Sequence, residues 1–203
     1  PTAVKNAVLT ILYSFNEHSV DELLKIANDK SANSIKSVNL LCKMAAKGIE
    51  EEKIIDSIIY IMDTFSDENI IATLGFLSQV KNNTKVLKTL EDYFKKYIYD
   101  NNIESAYDIT LSIINNVGNY TTEQLIFLKA VAISDEVLEL SMILKDEKGT
   151  FDLSSVPEDL RLKATLSFYS LYNKDEEINS KLMYLRDNSL DIELRKYLTE
   201  ILE

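Results

Sequence analysis

Only two prolines and four glycines occur in the 203 residues of this chain. Average usage would supply about ten prolines and about fourteen glycines, and these two residue types dominate turns and irregular loops. Leu, Ile, Lys, Glu and Asp instead recur at spacings of three and four residues over long stretches. This combination predicts helices along almost the whole chain, so the expected fold class is all-α.

Apolar periodicity, combined with helix start and stop signals, predicts about twelve antiparallel helices joined by short loops. The ninth helix begins at Ser134 and Asp135, and the alternative is one long helix over 122–145. The predicted helices lie near 2–16, 19–29, 32–47, 50–64, 67–81, 84–99, 103–116, 122–133, 134–145, 157–172, 174–187 and 189–202.

Several of these helix starts carry a capping box, in which two side chains three residues apart each accept a hydrogen bond from the other residue's backbone N–H. Gly48 is predicted to end a helix in the left-handed conformation. The capping-box pairs are Ser19 with Glu22, Thr121 with Gln124, and Ser155 with Glu158 around Pro157, and the last two starts are marked by Asn173 with Glu176 and by Ser189 with Asp191.

One segment, 146–156, lacks helical periodicity and contains Gly149 beside several polar residues. It is predicted to be a loop or hinge. The expected domain organisation is a helical-repeat domain over 1–145, this loop, and C-terminal helices over 157–203 that pack on the same stack.

The predicted helices also show a repeat when they are taken in pairs. Pair starts near residues 2, 32, 67, 102, 134 and 174 are separated by roughly 30 to 40 residues, which is typical of helical-hairpin repeats. Such pairs bury their apolar faces only by stacking on their neighbours. The chain is therefore predicted to form an α-solenoid-like repeat stack, with an irregular closed helical bundle as the alternative.

Two stretches resemble the tetratricopeptide family. Leu74 and Gly75 stand where the first helix of that repeat has a Leu-Gly pair, and the run 102–106 resembles the entry to its second helix. Counted along the chain from Leu41, the positions of Ile54, Ile58 and Ile61 also match those of the family's repeat. The family's small residues at helix crossings and its closing proline are mostly absent, and HEAT-like pairs fit equally well. The resemblance implies a protein-binding scaffold.

The residue types that carry most catalytic and metal chemistry are nearly missing. His18 and Cys42 are the only residues of their kinds, so zinc sites built from these two residue types and paired Glu-x-x-His elements are excluded. The four glycines are isolated, and none belongs to a phosphate-binding loop. The carboxylate triplets 50–52 and 175–177 open predicted helices, where the helix dipole favours negative charge. We therefore predict no cofactor, no metal and no enzymatic activity.

The charge of the chain limits which kinds of partner it can bind. The net charge is −11, which disfavours nucleic-acid binding because phosphate contacts depend on clustered Lys and Arg. Residues 134–203 hold 16 acidic and 9 basic side chains, a net charge of −7, so this third of the chain would attract a basic partner. No apolar run approaches the length of a membrane span.

The one local row of basic residues begins at Lys81, just before the predicted helix 84–99, and continues along that helix to Lys95. Lys81, Lys85 and Lys88 share one face, and Tyr93 and Tyr97 follow on the same helix. A solvated helix face explains such a row, but lysine with tyrosine also suits docking to an acidic protein. These five residues are the candidate partner-binding site.

Taken together, the sequence predicts a cytoplasmic, non-enzymatic scaffold or adaptor that binds another protein, and it leaves self-association open. The alternative is a regulatory helical bundle that binds an apolar small molecule beneath a lid formed by 146–156.

Overall fold

The computed structural model describes residues 19–29, 31, 33–133 and 137–203. This part of the chain is mostly helical and has ten α-helices with two short strands, as the all-α prediction requires in outline. The helices are α1 (Val20–Asn28), α2 (Ser34–Ala45), α3 (Glu51–Met62), α4 (Asp67–Leu77), α5 (Thr84–Tyr99), α6 (Ile103–Val117), α7 (Thr122–Ile133), α8 (Glu158–Leu171), α9 (Glu176–Asn188) and α10 (Ile192–Leu202). The strands are β1 (Val137–Glu139) and β2 (Thr150–Asp152), with a 3-10 helix at Leu140–Met142.

Ten of the twelve predicted helices correspond to α1–α10, with differences of a few residues at their ends. The predicted helix 2–16 lies outside the described residues. The predicted helix 134–145 is wrong over its described part, as is the long-helix alternative over 122–145, because β1 and the 3-10 helix occupy this region.

The two strands form an antiparallel ladder in which Leu138 is paired with Phe151. Leu138 and Leu140 are buried while Glu139 between them is exposed, which is the alternation that a strand produces. The run 137–144 is so dense in apolar residues that helical and strand periods both fit it, and cross-strand pairing decides between them. The segment 146–156 thus contains β2, while its role as a hinge stays a prediction.

The helix caps agree with the sequence in part. The capping box of Thr121 and Gln124 is confirmed, with N–H to side-chain oxygen distances of 2.9 and 3.3 Å. Gly48 has the predicted left-handed backbone, with φ of 77°. The capping boxes at Ser19 and around Pro157 are wrong, since neither helix start has a side-chain cap.

The last two helices are capped by aspartates. Asp175 precedes α9 and accepts a hydrogen bond from the backbone N–H of Ile178, so α9 starts two residues later than the predicted start at Asn173 implies. Asp191 caps α10 in the same way, accepting from Glu193 and Leu194. An aspartate at this position also benefits from the helix dipole.

The chain divides into two compact units. The N-terminal unit comprises the described residues up to Tyr97 together with Asp108–Asn119. In it α1 packs against α2 and α3, and α2 packs against α3 and α4. Their apolar stripes meet in a core whose fully buried members include Leu23, Leu41, Ile54, Ile58 and Leu74.

The C-terminal unit comprises Ile98–Tyr107 and the described part of 120–203. In it α7 packs against α8 and α9, and α9 packs in turn against α8 and α10. Phe127 of α7 and Phe151 of β2 are fully buried with ring centroids 6.1 Å apart, so the strand pair contributes to the core of this unit.

Candidate functional site

The three predicted partner-binding lysines near the start of α5 all bind acceptors within the N-terminal unit. Lys81 donates to the backbone oxygen of Asn115 and to its side-chain oxygen. Lys85 donates to both carboxylate oxygens of Asp56, at 2.7 and 2.9 Å. Lys88 pairs with Asp92 one turn further along α5, at 2.6 Å. A partner would have to compete with these contacts for each ammonium group.

The contact between Lys85 and Asp56 also affects the charge of Lys85. Its hydrogen bond to Asp56 raises the pKa of the Lys85 ammonium above its ordinary value. The pair links α5 to α3, and the side-chain amide of Asn83 adds a second link by donating to Glu51 at 2.7 Å. These contacts join α5 to α3 at the surface, where water screens the exposed Lys85–Asp56 pair and leaves it little effect on stability.

The two predicted tyrosines differ in exposure. Tyr97 is 2% exposed, so it belongs to the core and offers a partner no surface. Tyr93 is half-buried, and its hydroxyl lies 3.4 Å from a carboxylate oxygen of Asp63. Burial and the nearby Asp63 raise the pKa of Tyr93. The ammonium of Lys96 lies 5.5 and 5.3 Å from the centroids of Tyr93 and Tyr97, within cation–π range.

A groove of about 680 Å³ runs between α1 and α3 in the N-terminal unit. Tyr60 lines it and is 82% exposed, which is unusual for a large aromatic side chain. Asp21, Lys25 and Asp56 line the same groove. Because Asp56 is bound to Lys85 and Lys25 to Glu22, the charges of this groove are largely balanced.

The C-terminal hairpin, which we define as α9, α10 and the turn between them, exposes much more apolar surface. Leu190 in the turn is 99% exposed, and Tyr184 and Ile192 are each 67% exposed. Among the described residues, eleven large apolar side chains are exposed and five of them lie in this hairpin. The other two are Met183 and Tyr197. This concentration within one helix pair identifies the hairpin as the strongest candidate for a protein-interaction site.

Polar contacts at the start and middle of α9 and at the end of α10 join the hairpin to the rest of its unit. The ammonium of Lys129 on α7 lies 2.7 Å from Asp175 and 3.2 Å from Glu177. Lys181 donates to the backbone oxygen of Ala132 at 2.6 Å, and the Tyr169 hydroxyl donates to the backbone oxygen of Ile201 at 2.9 Å. These bonds fix both helices of the hairpin while their outer faces remain exposed.

Asp175 has two roles at this junction. Burial alone would raise its pKa, but the hydrogen bonds from Lys129 and from the backbone N–H of Ile178 outweigh burial and hold the pKa below its ordinary value. The charged form of Asp175 is therefore favoured by the fold, and it caps α9 while pairing with α7.

A second feature of the hairpin is a groove of about 450 Å³ between the end of α9 and α10, which we call the C-terminal groove. Arg186 in it is bound to the neighbouring Asp187, with N–O distances of 2.8 and 3.3 Å. Arg195 and Lys196 are exposed and have no ion pair with any described residue. The groove is lined by Arg186, Asp187, Ile192, Arg195, Lys196 and Thr199.

Sequence reasoning missed this surface. Its signal was present in the pattern of α10, where Leu198 is the fully buried residue, while Ile192 falls outside the stripe that Leu194, Leu198 and Ile201 form at spacings of four and three. An apolar residue out of phase with the buried stripe is exposed unless another chain covers it. The net charge of 134–203 is negative, so it gave no indication that cations outnumber carboxylates at this groove.

No group of three or more His, Cys, Asp and Glu side chains among the described residues is arranged to hold a metal ion. His18 lies outside the described residues. Cys42 is buried in α2, and burial raises the pKa of its thiol to about 12, so it stays protonated near neutral pH. None of the described helices is both long and apolar enough to cross a membrane.

Comparison with known proteins finds no match to a family model, to a curated protein or to a solved structure.

Proposed function

We propose that this protein is a non-enzymatic scaffold or adaptor that binds another protein through the exposed apolar side chains of its C-terminal hairpin. The observation that carries the proposal is the exposure of Tyr184, Leu190 and Ile192 within a single helix pair that is anchored to α7 and α8. Large exposed apolar patches on soluble domains commonly mark binding surfaces, because burying them on association is favourable.

The proposal includes an arrangement of stacked helix pairs. In the N-terminal unit α1 and α2 each pack against both the next helix and the one after it, and α7 does the same in the C-terminal unit. Stacked helical hairpins produce this contact pattern. Gly75 gives the tetratricopeptide resemblance no support, since an added Cβ there would meet no atom within 4 Å beyond its own helix.

The α5 site of Lys81, Lys85, Lys88, Tyr93 and Tyr97 remains a second, weaker candidate surface for this function. We also propose a cytoplasmic location, because a chain with a single cysteine forms no intrachain disulfide and needs no oxidising compartment. The alternative function, an effector-binding bundle with 146–156 as a lid, has less support, since Phe151 and Leu153 of that segment are buried in the C-terminal unit.

The test replaces three exposed apolar residues of the hairpin at once, as Tyr184→Ser, Leu190→Ser and Ile192→Ser in the full chain. The matched control replaces three exposed apolar residues elsewhere, as Tyr60→Ser, Val137→Thr and Met142→Ser. Tagged wild-type and variant proteins are used for affinity capture from an extract of the native cells, and the bound proteins are quantified by mass spectrometry. Melting temperatures of all three proteins are measured in parallel.

We expect a partner that is retained by the wild type and the control but lost from the hairpin variant, with similar melting temperatures for all three proteins. Exposed side chains contribute little to folding, so their replacement should act on binding alone. Equal retention by all three proteins, loss from both variants, or turnover of a substrate by the purified protein would contradict the proposal.

A further inference from the structure

The cations of the C-terminal groove are unusual for this chain. Acidic residues exceed basic ones by eleven overall, yet the groove lining holds three cations and one carboxylate. That carboxylate, Asp187, is bound to Arg186, which leaves Arg195 and Lys196 as charges with no anionic partner among the described residues. A net positive groove in a protein of charge −11 favours an anionic occupant.

The groove also has an apolar side. Ile192 lines it and is 67% exposed, and Leu190 precedes it in the turn with almost its whole side chain in solvent. On α9, Met183 is exposed and lies three residues before Arg186 and four before Asp187, so it shares their helix face. A matching ligand therefore needs carboxylates and apolar side chains in alternation.

Two other occupants fit less well. A second copy of this chain, docked by a two-fold axis through the groove, would place Arg195 and Lys196 close to the same residues of its mate, which repel one another. A nucleic acid would gain few phosphate contacts from three cations, would work against the overall charge, and would leave Ile192 without an apolar contact.

We propose that the C-terminal groove binds an acidic amphipathic peptide segment of another protein, with carboxylates on Arg195 and Lys196 and apolar side chains on Ile192. This inference rests on the proposed scaffold function and specifies the chemistry of its partner. The exposed cations set the selectivity and the rate of encounter, and the apolar contact supplies most of the affinity.

The test is a selection from a phage-displayed library of random 16-residue peptides against the immobilised full-length protein. One selected peptide is then synthesised with a fluorescent label, and its dissociation constant is measured by anisotropy against three proteins. These are the wild type, the variant Arg195→Glu with Lys196→Glu, and a control with the same charge change on the same unit, Lys163→Glu with Lys174→Glu. The milder variant Arg195→Gln with Lys196→Gln is included in case the double reversal unfolds α10.

We expect selected peptides to be enriched in Asp and Glu alternating with apolar residues. Binding should weaken about tenfold or more in the reversed variant, less in the glutamine variant, and by less than about threefold in the control. Affinity should fall with added salt. A peptide in which Lys replaces each acidic residue should bind the reversed variant better than the wild type.

The inference is overturned if no peptide is selected, if the selected peptides show no acidic enrichment, or if the reversed variant binds them as well as the control does. It is also overturned if a single-stranded oligonucleotide displaces the peptide and binds more tightly. Light scattering that shows a wild-type dimer abolished by the reversed variant would assign the groove to a second copy. Partner capture that depends on Leu190 and Ile192 but not on Arg195 and Lys196 would leave the scaffold function standing and remove only this inference.

Discussion

The α5 site and the C-terminal hairpin carry the same kinds of residues but differ in what those residues already bind. Lys85 and Lys88 are held by Asp56 and Asp92, whereas Arg195 and Lys196 have no such partner in the described part of the chain. Tyr97 is buried, whereas Tyr184 is exposed. A row of basic or aromatic residues is therefore a candidate interface only where its side chains are exposed and are not already bound within the fold.

The largest expected effect is a difference in stability between variants at two leucines of the hairpin, one buried and one exposed. Leu198→Ala removes a fully buried side chain of α10 and should lower the free energy of unfolding by about 2–5 kcal/mol. Leu190→Ala, at a position 99% exposed, should leave stability nearly unchanged and weaken only partner binding. Chemical denaturation of both variants measures the contrast. Similar losses for the two would mean that Leu190 is covered in the native protein, and the hairpin would then cease to be a free surface.

The next effect concerns how firmly the turn between α4 and α5 is fixed. The buried side-chain amide of Asn116 donates to the backbone oxygens of Val80 and Ser78, at 2.7 and 3.4 Å. Asn116→Ala leaves these oxygens without that donor and should cost about 1–3 kcal/mol. Its exposed neighbour supplies the control, since Asn115→Ala should cost less by thermal denaturation. If Asn115→Ala cost more stability than Asn116→Ala, the exposed contact between Lys81 and Asn115 would matter more than the buried hydrogen bonds. The contrast between the α5 site and the hairpin would then be weaker.

A smaller effect, dependent on pH, probes the base of the hairpin. Asp175→Ala removes the α9 cap and should cost about 1 kcal/mol at neutral pH, whereas Asp175→Asn keeps a capping residue and removes only the charge. Because the pKa of Asp175 is lowered in the fold, its charge stabilises the protein above the ordinary aspartate value of 3.8. That stabilisation is lost as the pH falls through the lowered pKa.

The measurement for this prediction is the melting temperature from pH 7 down to pH 3. The difference between wild type and Asp175→Asn should shrink over the acidic end of this range. Asp100→Asn, at an exposed aspartate in the turn after α5, serves as the control for loss of a surface carboxylate. A difference for Asp175→Asn that stays constant with pH would show that the pair with Lys129 contributes nothing to the hairpin's attachment.

The smallest effect is expected at the basic row itself. Lys85→Gln with Lys88→Gln removes two exposed ion pairs, and such pairs contribute little to stability because water screens them. We expect almost no change in melting temperature and unchanged partner capture. Loss of the partner with this variant, while the hairpin variant retains it, would reverse the comparison and move the interaction site to α5.

Helix positions could largely be predicted from the sequence, because few prolines and glycines interrupt the apolar stripes and the stripes repeat with helical period. The exception was 134–145, where an apolar run suits either period and the partner strand lies more than ten residues further along. Helix caps were harder, since Asn173 and Asp175 both precede α9 and only the backbone geometry selects Asp175.

The sequence by itself determined that most of the described chain is helical, and it fixed the single histidine and the single cysteine. Period and composition act over a few residues, so they can be read along the chain. Only the tertiary structure decided that Tyr97 is buried and that Lys85 is bound to Asp56. It also decided that Arg195 and Lys196 line a groove without an ion pair to any residue that the structure describes. Those outcomes depend on residues distant in sequence, because burial and ion pairing are properties of neighbours in space.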